Sequence, residues 1–362
     1  MRNREAVKSI LSSLIAIAFG LLFGFIIIFI VNPNQAFRAF SILIQGGFYR
    51  GLRSIGQMLY LAIPIMMTGL SVAFAFKCGL FNIGTPGQYI VGAFAAICVA
   101  INVDIIPYSI LWIICLIAGG LAGALWGIIP GMLKAYKNVN VVISCIMMNY
   151  IGMLLVIEGV QRFVYNPMGA ESFAVPVNKA IPKAGLDKIF AGSSVNIGIF
   201  IAIGLCVLAY IIMNKTTFGY ELKACGYNSE ASRYAGMSEK KCIILSMGIA
   251  GFFSGIGGAI VYMSGTGATI GTAEVLAIEG FNGIPVALLG FNNPLGVIAS
   301  SIFIAHINLG GNFMQSVDIA IEIIDIIVAS IIYFSSFTLY IKLYLDRRRS
   351  KRELIATQGG EE

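Results

Sequence analysis

The chain has 362 residues, of which 58% are hydrophobic and 11% charged, with a mean hydropathy of +0.88. That balance excludes a soluble globular protein and points to an all-α polytopic membrane protein. The formal charge of +7 sits between apolar runs, so it is no nucleic-acid signal, and a single histidine, His306, gives little basis for histidine catalysis or a zinc site. Cys78, Cys98, Cys115, Cys145, Cys206, Cys225 and Cys242 fall in apolar runs or at their edges without metal-ligand spacing. They read as buried small hydrophobes or free thiols.

In chain order, Arg2, Arg4 and Lys8 precede an apolar run over about 9–31. The basic start and Ala16-Ile17-Ala18 resemble a signal peptide, but the run continues well past them, so an uncleaved first span is expected. A mixed stretch with Arg38, Arg50 and Arg53 follows, then a second span over about 56–76 that stops at Lys77. Residues Phe81-Asn82-Ile83-Gly84-Thr85-Pro86-Gly87-Gln88 break the helix before a short third span to about 101. The fourth span, about 107–129, carries Gly119, Gly123 and Gly127, with Gly131 beyond, at four-residue spacing. Such a face lets a neighbouring helix approach closely, which is how helices pack in lipid.

The fifth span, about 141–160, contains Asn149-Tyr150 and leads into a long charged and proline-containing loop, 161–193, expected outside the membrane. The sixth span, about 195–213, precedes a polar stretch over 214–241, and the seventh runs over about 242–264. A glycine-rich segment then meets a half-length helix over 280–290, an interruption at Phe291-Asn292-Asn293-Pro294, and a ninth segment over 295–309. The final span, about 320–343, ends in a basic tail, 346–362. Threading about ten spans this way puts 17 of the 24 basic residues on one side. By the positive-inside rule both termini and the 214–241 stretch are cytoplasmic. Phe81-Asn82 and Phe281-Asn282 precede short helices that start from opposite sides, a trace of a possible inverted repeat with the solute path between its halves.

The 214–241 stretch contains Glu230-Ala231-Ser232-Arg233-Tyr234-Ala235-Gly236, good helix formers ending in a glycine suited to close a short helix. It resembles the coupling loop of ABC importer permeases, a Glu-Ala-Ala, three residues, Gly motif, with Ser232 in place of the second alanine. Four further segments resemble the nucleoside and simple-sugar branch of that family. They are Leu80 to Gln88, Asn140 to Tyr150, Gly280 to Gly290, and Asn292-Asn293-Pro294-Leu295-Gly296. The pattern often has a glutamate where Val141 stands, which puts any role for that charge in doubt.

The resemblance implies a permease of a bacterial cell membrane, with residues 1–345 forming the transmembrane domain. It also implies a cytoplasmic ATPase, a second homologous permease in a homo- or heterodimer, an extracytoplasmic binding lipoprotein, and a nucleoside or simple sugar as solute. It makes Glu230, Ala231, Ser232 and Gly236 the ATPase-coupling residues. The chain has no Gly-x-x-x-x-Gly-Lys-Ser/Thr phosphate loop, so it is not expected to be an enzyme or to hold a cofactor. ATP and magnesium would belong to the partner.

Candidate path residues are Asn82, Asn149 and Asn282, whose amides could bind and release a neutral polar solute or could equally glue helices together. Tyr150 and Phe281 could stack on a base or fill the core. Glu322 and Asp325, three apart on one helical face, could accept hydrogen bonds from hydroxyls or lie in water at a helix start. An ion-coupled secondary transporter would need that pair as its intramembrane ionisable groups and would leave the 214–241 stretch unexplained. A membrane-embedded enzyme would need a nucleophile and base that are not visible.

Overall fold

The computed structural model describes residues 2–337; the basic tail at 346–362 lies outside the described residues. A backbone in hydrocarbon has no water to bond, so its apolar runs must close their hydrogen bonds internally, and helices do this within one segment. The chain accordingly forms α1 (Arg2–Val31), α2 (Ala36–Gln45), α3 (Leu52–Phe76), α4 (Thr85–Asn102), α5 (Tyr108–Lys137) and α6 (Val141–Phe163). A two-residue hairpin, β1 (Tyr165–Asn166) and β2 (Glu171–Ser172), and α7 (Leu186–Ile189) interrupt the series. Then come α8 (Gly198–Lys215), α9 (Thr217–Tyr227), α10 (Ser229–Tyr234), α11 (Glu239–Tyr262), α12 (Ile278–Leu289), α13 (Pro294–Met314) and α14 (Ile321–Ser336).

Among the described residues, seven helical stretches are long and apolar enough to cross a membrane: α3, α4, α5, α6, α8, α11 and Pro294–Val317. Two apolar helices are shorter, Ile17–Val31 and α12. The chain divides into two compact units, one of residues 50–306 and one of residues 1–49 with 307–362, the boundary falling inside α13.

In the larger unit α4, α5 and α11 meet along a seam of glycines. A Cβ on Gly119 would lie 2.8 Å from the Gly92 oxygen and 2.8 Å from the Ala259 methyl. One on Gly123 would strike the Gly251 carbonyl, one on Gly127 the Met247 carbonyl, and one on Gly131 would sit 3.1 Å from the Met247 side chain. All four glycines of the expected face therefore receive a partner, and α11 supplies residues to every contact. With no hydrophobic drive between helices in lipid, close backbone packing of this kind supplies the dispersion that holds them.

In the smaller unit α1 lies on α14, Gly20 against Ile331 and Gly24 against Ile327. Phe25 joins α1 to α2 through Phe37 and Phe40, with centroids 5.3 and 5.0 Å away. The mixed stretch after the first span thus holds a helix that sequence reasoning left unassigned. It buries Ala36, Ala39, Ile42 and Leu43 and exposes Phe37 and Arg38, a stripe of helical period on a helix too short to cross. A second correction concerns the paired dipeptides: Phe81-Asn82 precedes α4, but Phe281-Asn282 lies inside α12. The two are not in equivalent positions, because α12 begins three residues before Phe281, at Ile278.

Replacing Gly255, whose Cβ would land on the Gly119 carbonyl, by leucine should abolish the monodisperse peak on detergent size-exclusion chromatography. Gly204 of α8 has nothing within 4 Å of such a Cβ among the described residues. Gly204→Ala should leave the peak intact, with a melting temperature equal or higher, since alanine is favoured over glycine in a helix by up to about 1 kcal/mol.

Candidate functional site

The polar stretch after α8 folds into two short helices, α9 and α10, rather than one. The Thr216 hydroxyl accepts from the Gly219 N–H at 3.1 Å to start α9, and the Asn228 side chain accepts from the Ala231 N–H at 3.0 Å to start α10. Both satisfy donors that a helix start leaves open. At the far end the Met237 N–H bonds the Ser232 carbonyl at 3.0 Å while Gly236 takes φ +81°, a glycine-closed helix end. Glu230, Ala231 and Arg233 are exposed, whereas Ser232 is the residue α10 buries. Tyr234 and, at the end of α9, Tyr227 are 93% and 91% exposed, large rings that the described residues leave uncovered.

Behind α10 lies a cleft of about 380 Å³ lined by Lys134 and Asn138 of the α5 end, Glu230 and Arg233 of α10, and Glu239 and Lys240 of the α11 start. Lys240 also lies over the Tyr136 ring, 5.2 Å from its centroid. A neighbouring cleft of about 450 Å³ reaches Cys78, Gly79, Cys225 and Gly226. Burial, with the Cys242 and Cys225 thiols nearby, pushes the Cys78 thiol up to about 12, so at neutral pH it packs as an uncharged hydrophobe. Burial and then the charge of Lys223 lower the pKa of the adjacent Lys77.

The break before α4 lies deep among the helices. Asn149, which bonds it, is nine residues beyond the Asn140 cap of α6, roughly 13 Å along the axis. Ser254, which also bonds it, is fifteen residues beyond Glu239 of α11, roughly 22 Å along. Non-helical backbone at such depth must be satisfied by protein. Here side-chain amides do it. The Asn82 Nδ2 donates to Ser71 Oγ at 3.2 Å and to Gln88 Oε1 at 3.0 Å, and its Oδ1 accepts from the Gly84 N–H at 3.0 Å and from Gln88 Nε2 at 3.2 Å. The Asn149 Oδ1 accepts from the Gly87 N–H at 2.9 Å while its Nδ2 donates to the Ile83 carbonyl at 3.0 Å. Ser254 donates to the Thr85 carbonyl at 2.9 Å, and the Thr85 hydroxyl donates to the Gly280 carbonyl at 2.9 Å. The starts of α4 and α12 thus touch, with Gly280 against Pro86.

Asn82 and Asn149 are 0% and 1% exposed, and their amides are engaged in this network. Both amides tie the break to its neighbouring helices in this structure. Asn282 and Phe281 are half-buried on α12, and Tyr150 is exposed beside Asn149. Glu322 and Asp325 are both exposed on α14, in the smaller unit.

At the opposite end from α9 and α10, the 161–193 loop is tied to the segment after α11. Ser172 donates from its N–H to the Ile270 carbonyl at 2.8 Å, the Thr269 hydroxyl donates to Glu171 at 2.6 Å, and the Ile181 N–H bonds the Met263 carbonyl at 2.8 Å. Lys179 is buried, donating to the Ala100 carbonyl at 2.9 Å and pairing with Asp104 at 2.7 Å. Among the described residues no group of His, Cys, Asp and Glu is arranged to hold a metal ion.

The family described as branched-chain amino acid transport system / permease component matches residues 54–336. The chain belongs to this permease family. It is 34% identical over 365 residues to the nucleoside ABC transporter permease protein NupB of Lactococcus lactis, covering 99% of this chain and 98% of the relative. It is 36% identical over 357 residues to the guanosine ABC transporter permease protein NupP of Bacillus subtilis, covering 96% and 99%. A second guanosine permease protein of that organism, NupQ, is 27% identical over 250 residues, covering 67% of this chain and 76% of the relative. No solved structure matches the chain significantly. As a permease it is an integral, multi-pass membrane protein and a transport component rather than an enzyme.

Three structural features of this permease escaped sequence reasoning. Gln88, reciprocal partner of Asn82, carries one signal of its own, a polar residue at the fourth position of an apolar helix. Gly79 and Gly226, which face each other in the second cleft, carried no signal, since nothing near either residue in the chain points to the other. Tyr227 and Tyr234 gave the weakest signal, since an aromatic ring in a mixed stretch reads equally as core.

Asn149→Leu leaves the Gly87 N–H and the Ile83 carbonyl without these bonds in a buried site, at a cost of about 1–3 kcal/mol per orphaned group. Thermal unfolding in detergent should show a lower midpoint than the unmodified permease, and uptake should fall while the protein still inserts.

Proposed function

We propose that the protein is the membrane permease subunit of an ABC importer that carries a nucleoside, driven by a cytoplasmic ATPase seated on α10. The observation that carries this reading is the similarity along nearly the whole of both chains to nucleoside and guanosine permease proteins. The family's description names a different solute class, so the family alone does not set the solute.

The ATPase binds ATP and magnesium, and the permease holds neither. Its seat is Glu230, Ala231 and Gly236 with the polar cleft behind them, Ser232 fixing the helix from within. Exposed tyrosines and an arginine are the residue types that anchor such interfaces, and an amphipathic helix in a partner's groove is a known mode of grip. A binding lipoprotein delivers the solute at the end capped by the 161–193 loop. A second permease completes the assembly, as the similarity to both guanosine permease proteins of one organism suggests. The chain threads about ten spans across residues 1–345 of the bacterial cell membrane with both termini cytoplasmic. Phe281, Asn282 and Tyr150 of the larger unit face the path, and Asn82 and Asn149 fix its wall; Glu322 and Asp325 of the smaller unit are separate solute-contact candidates on α14.

In proteoliposomes holding the whole transporter and ATP, guanosine, adenosine or uridine should accumulate, and glucose and leucine should not. Accumulation of glucose or leucine alone would replace the nucleoside reading. Topology is separately testable: Glu171→Cys should label with an impermeant thiol reagent from outside the cell and Tyr227→Cys only from inside. Labelling of both from one side would overturn the threading. Gly236→Val fits the space, since nothing lies within 4 Å among the described residues. A β-branched residue at φ +81° is nonetheless strained by about 1–3 kcal/mol. The variant should insert normally and lose ATP-driven uptake; normal uptake would remove α10 from the coupling role.

A further inference from the structure

We infer that Gly226 and Gly79 form the joint through which motion of α10 reaches the broken start of α4. The inference rests on the docking of an ATPase at α10. The Ser232 hydroxyl donates to the Ser229 carbonyl at 2.7 Å and lies 3.3 Å from the Cys225 sulfur, so the buried residue of α10 touches the last turn of α9. The next residue, Gly226, lies directly on the backbone that leaves α3. A Cβ there would land on the Lys77 carbonyl oxygen and lie 3.0 Å from both the Cys78 carbonyl carbon and the Gly79 nitrogen. The fit is reciprocal. Gly79 has φ +72°, and a Cβ on it would sit 3.4 Å from the Gly226 oxygen.

Side chains at a contact can absorb a displacement by changing rotamer. Backbone against backbone has no such slack, and packed contacts shift between discrete arrangements rather than deform. Between Gly79 and the start of α4 the chain contains no helix that could slide. The Leu80 N–H is bonded back to the Ala75 carbonyl at 3.1 Å, and three residues after Gly79 the chain enters the Asn82, Gln88 and Gly84 network. That network fixes the start of α4, and Thr85 carries the contact on to Gly280 of α12. A displacement of α9 and α10 is therefore handed to the two helix starts that meet inside the larger unit. Gly226 and Gly79 are positioning residues in this scheme; neither touches solute.

The test is the number of ATP molecules hydrolysed per guanosine taken up by the complete transporter in proteoliposomes. Gly226→Ala should keep the ATPase bound on co-purification and raise that ratio about fivefold or more, the lower bound of a typical coupling free energy. Gly251→Ala, whose Cβ would land on the Gly123 carbonyl in the glycine seam, should lower the yield of folded protein but keep the ratio of the unmodified transporter. A rise of equal size in both variants, or an unchanged ratio in Gly226→Ala, overturns the joint. Cys225→Ala introduces no clash and removes the Ser232 contact, so it decides the matter if Gly226→Ala does not accumulate. Its ratio should also rise, by less, and an unchanged ratio there overturns the joint as well. Ala231→Trp probes the docking separately and should lose the ATPase on co-purification. Retention of the ATPase by that variant counts against the docking reading, while the ratio still judges the joint.

Discussion

The structure depends on one constraint: the backbone between α3 and α4 is not helical at a depth where water cannot satisfy it. Asn82 and Asn149 meet that demand with side-chain amides, and Gln88 holds the Asn82 amide in place. Each amide offers donors and an acceptor, so three residues fix the turn, start α4 and bind it to α6. An apolar residue at any of the three positions would leave buried groups unpaired, the more costly state in a low dielectric. The break in turn lets α4 start deep in the bundle and lets its first turn meet α12 through Thr85 and Gly280.

The glycine seam makes that geometry possible. Gly92, Gly119, Gly123, Gly251 and Gly255 allow α4, α5 and α11 to approach until backbones touch, so the break sits against a closely packed wall. At one end the wall is closed by the hairpin and by Lys179, whose charge is held between the Ala100 carbonyl and Asp104. At the other it meets the paired glycines under α9. The unit of residues 50–306 is therefore closely packed along α4, α5 and α11 and carries its exposed polar helix, α10, at one end.

Much of this was legible in the sequence. Apolar runs of spanning length gave the helices, four-residue glycine spacing gave the packing face of α5, and a short polar stretch closing at Gly236 gave α10. The comparisons bear out the permease family and the membrane setting. What the sequence hid was tertiary. Asn82 and Asn149 could read as path residues or as helix glue, because amides in an apolar run are conspicuous either way, and only the structure shows that the Gly84 and Gly87 N–H groups and the Ile83 carbonyl engage them. The division of 214–241 into two helices depends on Asn228 acting as a cap, and asparagine serves equally in turns. Gly226 and Gly79, 147 positions apart by their numbering, gave no local sign that each leaves room for the other.

The central claim is that α10, the joint beneath it and the buried start of α4 respond as one. Hydrogen exchange, measured on the purified permease with and without its docked ATPase, tests this most directly. Residues 217–241 should gain protection where the partner covers them. Residues 82–88 are buried apart from the half-buried Ile83 and lie away from α10, so the account requires their exchange to change as well. A change confined to 217–241, with 82–88 exchanging at an unaltered rate, would contradict it.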